Sequence, residues 1–172
     1  MPEVYVFPGG ALEPGDRVPS GLPEGFAAPP PGTDAATGAL YRALVRCALR
    51  ELHEETGLLL TDGPLAGGGG ASAPAWSSYR AVARRPRFRG LSLVFRAVTP
   101  PGLPTRFDTR FFRADGLAAE GRLAGSGELE DLAWRPLEAL HGLHLRQVTQ
   151  AALAAALAAS DEHLHLKHAL NR

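Results

Sequence analysis

One segment limits the possible folds of this chain more than any other. From about Ala35 to Thr56 the apolar positions Val45, Leu49, Leu52 and Thr56 recur at three- and four-residue steps, the spacing of one buried face of a helix. Thr33 or Asp34 offers a side-chain oxygen for the N-cap, and Gly57 can take the left-handed conformation that ends a helix. A helix of this length with one apolar face needs a layer to pack on. Strands supply it. VYVF (4–7), LSLVFRAV (91–98) and RFDTRFFRA (106–114) are rich in β-branched and aromatic residues, and Leu58 to Leu60 begin another short strand.

The remaining segments fill in around these. Residues 17–34 carry many Pro and Gly and read as a loop with one short turn of helix. Residues 63–74 read as a linker, 75–85 as a helix, 119–131 as a turn-rich stretch and 132–140 as a strand running into a short helix. Residues 146–159 (RQVTQAALAAALAA) predict a second amphipathic helix around Val148, Leu153 and Leu157. Strands around one helix and followed by another make an α/β (α+β) domain, a sheet with helices on both faces. At 172 residues, 45% of them hydrophobic, the chain suits a single domain over 1–172.

Charge and cysteine usage exclude several classes. Lys+Arg and Asp+Glu are equal at 18 each, so no global field points to nucleic acid or a membrane surface. A single cysteine, Cys47, rules out an internal disulfide and speaks against a thiolate zinc site; it reads as packed core. No apolar run approaches the roughly 20 residues of a membrane span. The opening residues lack the basic-then-apolar pattern of a signal peptide, so the expected location is the cytoplasm. The tail histidines 163, 165 and 168 read as surface residues, and Trp76 and Tyr79 as helix packing.

The chemistry concentrates in RELHEETGLLL (50–60). At 100° per residue, with Glu51 as zero, Glu54 falls at about 300° and Glu55 at about 40°, so the three carboxylates share about 100° of arc. Leu44 and Cys47 lie on the same line upstream, and a purely solvated face would stay polar. Like charges this close repel unless a cation or an arginine compensates them. Arg50, four residues before Glu54, can clamp it. Clustered carboxylate oxygens suit Mg²⁺ or Mn²⁺ together with substrate phosphates. The same segment alone is more often a solvated acidic helix end than a metal site.

What surrounds the segment narrows the choice. GGALEPGD (9–16) and RELHEETGL (50–58) together resemble the two halves of the Nudix hydrolase signature: a glycine, five residues, an acidic residue, seven residues, then Arg-Glu-aliphatic-x-Glu-Glu-x-Gly-aliphatic. Gly10 and Asp16 match the first half, and Arg50, Glu51, Leu52, Glu54, Glu55, Gly57 and Leu58 the second. Asp16 stands where Glu is usual. The 33 residues 17–49 stand where the pattern has seven, so about 26 are inserted, at about 17–42. A Nudix subgroup with such an interrupted box includes the animal peroxisomal coenzyme A diphosphatase, and VFPGG (6–10), EETGLLL (54–60) and RFDTRFF (106–112) resemble it as well.

The resemblance implies a Nudix-type mixed sheet between helices. It implies hydrolysis of a diphosphate in a small nucleoside-linked substrate, with coenzyme A or its esters as one candidate, assisted by Mg²⁺ or Mn²⁺. Glu51, Glu54 and Glu55 would be metal ligands, Glu51 and Glu54 would also serve the chemistry, and Arg50 would hold a box glutamate. A further acidic residue is expected from a later loop; Glu128, Glu130 and Asp131 are candidates, with Glu128 preferred. Trp134 resembles a tryptophan that follows that loop and is expected in the core. On strand 106–112, alternation puts Arg106, Asp108 and Arg110 on one face, suited to substrate phosphates or to an ion-pair ladder in solvent. Nudix domains usually carry further residues before FPGG. Only MPEVYV precedes it here: either the true start lies upstream of Met1, or the usual N-terminal strand is lacking and the fold is completed by a partner chain, in which case the exposed sheet edge predicts a homodimer. The alternative function is a non-catalytic nucleotide-sensing module; retention of all three glutamates favours the enzyme.

Overall fold

The computed structural model describes residues 4–26, 34–66, 74–125, 127–159 and 168–171. Helix α1 spans Ala35–Thr56, as its periodicity predicts. Asp34 is the N-cap: its carboxylate accepts the Thr37 N–H at 2.9 Å and the Thr37 Oγ1–H at 2.7 Å. That satisfies a donor the first turn leaves unpaired. Gly57 ends the helix at φ 71°, and its N–H donates to the His53 carbonyl at 2.8 Å. A Cβ there would meet the backbone oxygens of Arg122 at 2.7 Å and Ala124 at 2.9 Å. Both the left-handed backbone and the close approach therefore require glycine.

Small antiparallel sheets surround α1. Strand β2 (Leu59–Pro64) lies between β3 (Arg84–Pro86) and β6 (Ala119–Glu120). Strands β4 (Leu91–Val98) and β5 (Asp108–Ala114) form a ribbon. Strand β8 (His168–Asn171) lies between β1 (Val4–Val6) and β7 (Leu129–Ala133). A parallel bridge also ties Tyr5 to Leu145, with the Tyr5 N–H donating to the His144 carbonyl at 3.0 Å. With α2 (Ser77–Ala81) and α3 (Gln147–Ala158), this is the mixed α/β class expected.

The core forms where α1 meets β2. Val45 and Leu49 are fully buried, with Leu59, Leu60, Trp76, Tyr79, Phe88 and Leu91 around them. Trp76 packs on Tyr79 and Phe88 at ring-centroid distances of 5.8 and 5.5 Å, so both residues serve packing. Leu22 and Phe26, from the inserted segment, join this core; Phe26 lies 4.8 Å from Phe88.

Four expectations need correction. The helix expected over 75–85 is a 3-10 turn at Pro74–Trp76 followed by only five α-helical residues. Ala83 then turns left-handed (φ 51°) and residues 84–86 pair with β2 instead. The strand expected from 106 begins at Asp108. On α3 the buried stripe is Thr149, Ala152, Leu153 and Ala156, whereas Val148 and Leu157 are 38% and 37% exposed. Leu153 is buried as expected, while Thr149 and Ala156 take the buried positions next to Val148 and Leu157. Trp134, expected in the core, is 40% exposed. Strand β7 ends at Ala133, and Pro136 leads into a 3-10 turn before the indole can be covered. His163 and His165 lie outside the described residues; the His168 backbone pairs with Ala133 in β8.

Candidate active site

The site is built where the last two turns of α1 meet the segment 9–16. A 3-10 turn at Pro14–Arg17 buries Asp16, whose Oδ2 accepts the Glu13 N–H at 2.9 Å while the Asp16 N–H returns to the Glu13 carbonyl at 3.1 Å. Arg50, also buried, meets this carboxylate with two parallel bonds: Nε to Oδ1 at 3.1 Å and Nη2 to Oδ2 at 2.9 Å. Its Nη2 also donates to the Ala11 carbonyl at 3.1 Å. The remaining nitrogen, Nη1, donates to Glu51 Oε1 at 2.7 Å and Glu54 Oε2 at 3.0 Å. One planar guanidinium thus joins both halves of the split motif and fixes two of its glutamates.

The 9–10 backbone meets this acidic face directly. The Gly9 N–H donates to Glu55 Oε2 at 2.8 Å. At Gly10 there is no room for a Cβ, because the Glu51 carboxylate occupies that space. The absence of a side chain at Gly10 lets the backbone there lie directly on the acidic face.

The electrostatics follow from burial and crowding. Burial pushes the Glu51 carboxyl above the usual range, against the pull of Arg50, and the charges of Glu54 and Asp16 add to the rise. Burial likewise raises Glu55, against its Gly9 bond, with Glu51, Glu128 and Glu54 contributing. Excess negative charge therefore remains on this face after Arg50 is counted. Cys47 lies beneath, 3.6 Å from the Ala11 carbonyl. Burial and the neighbouring Asp16 push its thiol up to about 12, which makes it a packed group and not a nucleophile.

The loop after β6 closes the end of the helix. The Ala124 N–H donates to the Thr56 carbonyl at 3.0 Å, and a Cβ at Gly125 would lie 2.6 Å from the Glu55 carbonyl oxygen. Glu128 stands exposed at the end of this loop, within electrostatic reach of Glu55. Glu130 and Asp131 lie farther on, in β7 at its irregular pairing.

Among solved structures, a Nudix hydrolase from Alicyclobacillus acidocaldarius is similar to this chain, with a TM-score of 0.59 and 32% sequence identity over 89% of this chain and 75% of that one. The chain belongs to the Nudix hydrolase family. No protein-family profile matches it, and neither does any curated protein. In this Nudix chain, Asp16 takes the place of the first-half glutamate. The shorter side chain still reaches Arg50 because the turn at 14–17 carries it against α1.

The second group of predicted residues has ion-pair and hydrogen-bond partners of its own. Asp108 is exposed on β5 and is held by Arg96 from the facing strand, Nε to Oδ1 at 2.7 Å and Nη2 to Oδ2 at 2.9 Å. Arg110 Nη1 lies 2.9 Å from Asp108 Oδ2. Arg106 precedes the strand and donates from Nε to the Thr99 carbonyl at 3.2 Å. No described hydrogen bond or ion pair joins these three to Glu51, Glu54 or Glu55. Sequence reasoning gave Asp16 no role and overlooked Arg46 and Glu24. The signal for Arg46 was its spacing of four from Arg50 on one helix face.

The family implies a divalent cation, so the donor set can be tested against one. Among the described residues no group of three or more His, Cys, Asp or Glu side chains is already arranged around a metal position. The chemistry of the set nevertheless fits. Arg50 occupies one oxygen each of Glu51 and Glu54, and Gly9 one of Glu55, so each keeps its other oxygen. All three are hard donors crowded with like charge, as Mg²⁺ or Mn²⁺ requires. Among the described residues no helix is long and apolar enough to cross a membrane.

Proposed function

We propose that this chain hydrolyses a diphosphate linkage in a nucleoside-diphosphate-linked substrate, with Mg²⁺ or Mn²⁺ held by Glu51, Glu54 and Glu55. Water adds to one phosphorus, the bridging P–O bond breaks, and two phosphomonoesters leave. The observation that carries this reading is the shared Arg50 nitrogen, which fixes Glu51 and Glu54 side by side and leaves one oxygen of each unoccupied. A bound divalent ion supplies charge neutralisation at the phosphates and lowers the pKa of water. Glu54, the most open of the three with its side chain 49% exposed, can accept the proton of the attacking water. Glu128 supplies a further carboxylate at the rim, as base or ligand.

For the substrate's anionic groups we propose Arg106 and Arg110, with Asp108 orienting Arg110. Coenzyme A or its esters come first among substrates, on the likeness of VFPGG, EETGLLL and RFDTRFF to the interrupted-box subgroup. A panel of coenzyme A, ADP-ribose, NADH and dinucleoside polyphosphates with Mg²⁺ or Mn²⁺, read by phosphomonoester release, tests it. Turnover of one or more supports the enzyme. Tight binding without turnover of any replaces it with a nucleotide-sensing module.

A further inference from the structure

The inserted segment does more than bridge the two halves of the box. Its first part, 17–26, is fastened to α1 and to the core at several points. Arg46, buried one turn before Arg50, grips Glu24 with two bonds, Nε to Oε1 at 2.9 Å and Nη2 to Oε2 at 2.5 Å. Its guanidinium carbon lies 5.4 Å over the Phe26 ring. Glu24 Oε1 also accepts the Ser20 N–H at 2.6 Å, and the fully buried Ser20 Oγ accepts the Leu22 N–H at 3.2 Å. These bonds hold the loop so that Leu22 and Phe26 enter the core.

The third nitrogen of Arg46 links this anchor to the site. Its Nη1 donates to the Asp16 backbone carbonyl at 3.1 Å. Asp16 is therefore held from two successive turns of one helix, its carbonyl by Arg46 and its carboxylate by Arg50. Arg50 in turn holds Glu51 and Glu54.

We propose that Glu24 and Arg46 are positioning residues, by which the insertion sets Asp16 and thereby fixes Arg50, Glu51 and Glu54 for catalysis. The catalytic half of this inference rests on the reading under "Proposed function"; the mechanical half does not. Arg46 keeps its forked grip on Glu24 only if the insertion is docked. The insertion thus replaces the short connection of an uninterrupted box with a buttress closed by one ion pair. A shift of a few tenths of an ångström in Asp16 passes to the carboxylates through a single rigid fork.

The test compares wild type with the double variant Glu24→Gln/Arg46→Met. Removing both charges avoids leaving one buried and unpaired, which would confound the result by unfolding. A second variant, Arg46→Lys, keeps the charge and loses the fork. Two readouts are taken on protein whose circular dichroism matches wild type. One is the NMR signal and exchange rate of the Arg50 Nε–H; the other is kcat, KM and the metal concentration for half-activation on the best substrate of the panel. The expected result is faster exchange at Arg50 Nε–H in both variants. With it come a kcat lowered by about ten- to a hundredfold, a raised metal requirement and an unchanged KM. An unchanged Arg50 signal in the folded double variant overturns the proposal whether or not the protein turns anything over. An altered Arg50 signal with wild-type kcat and metal requirement overturns it too. If wild type turns over no substrate, the enzymatic reading fails and, with it, the catalytic half of this proposal; the Arg50 signal then decides the mechanical half.

Discussion

Arg50 and Asp16 lie 34 positions apart in sequence, yet meet through two parallel hydrogen bonds of 3.1 and 2.9 Å with both side chains almost fully buried. This pair makes one site from a motif that the insertion divides. Removing one partner leaves the other charged, desolvated and unmatched, which is costly. Asp16→Asn is therefore expected to destabilise the fold by about 3 kcal/mol, read from the shift of the urea unfolding midpoint. A change under about 0.5 kcal/mol would mean that the pair carries no structural role.

Gly10 and Gly57 are predicted to fail differently on substitution. At Gly10 the obstacle is the end of the Glu51 side chain, which can swing aside. Gly10→Ala should leave the melting temperature nearly unchanged while displacing Glu51 from Arg50 and lowering turnover by at least about tenfold. At Gly57 the obstacles are backbone oxygens, and the residue sits at φ 71°. Gly57→Ala should cost about 2 kcal/mol or more. Thermal melts and turnover on both variants separate the two cases.

Acid should weaken the anchor of the insertion. Burial raises the Glu24 carboxyl, but the bonds from Arg46 and Ser20 outweigh it, so the folded value lies below the ordinary 4.5. A carboxyl depressed in the folded state stabilises the protein above its unfolded pKa, and the contribution is lost as pH falls through the folded one. The stability difference between wild type and Glu24→Gln should therefore be constant at neutral pH and shrink as the pH falls below about 4.5. Urea midpoints of both proteins from pH 7 to pH 3 check this. A difference that grows with acid contradicts the assigned direction.

Much of this arrangement is legible in the sequence, and the limits have physical causes. Helix α1 could be read from end to end because its periodicity, its Asp34 cap and its Gly57 stop agree. The crowding of Glu51, Glu54 and Glu55 and the Arg50–Glu54 contact follow from helical spacing alone. The roles of Asp16, Glu24 and Arg46 could not be read this way. They depend on how a Pro- and Gly-rich loop returns to the helix, and no local pattern encodes that path. The break at 82–83 escaped for a similar reason: a helix-forming stretch yields to pairing with β2, a partner about 20 residues upstream. Trp134 shows the converse case, where an aromatic residue suggests a core that the strand leaves too early to reach.

Cys47 should be silent to thiol reagents in the folded protein, because its thiol is buried and raised to about 12. Labelling by a disulfide reagent at pH 8 should be negligible in the native state and complete in urea. Rapid native labelling would show that the 9–16 segment does not stay on the helix.

The most direct test of the account is phosphomonoester release from the substrate panel by wild type and Glu54→Gln, with Mg²⁺ or Mn²⁺ and with a chelator. The Glu54 side chain is half-exposed, so the variant should fold as wild type does. The account predicts metal-dependent release by wild type on at least one diphosphate, none with chelator, and none above background from Glu54→Gln. Release by Glu54→Gln at the wild-type rate, or release by wild type that survives the chelator, would contradict it.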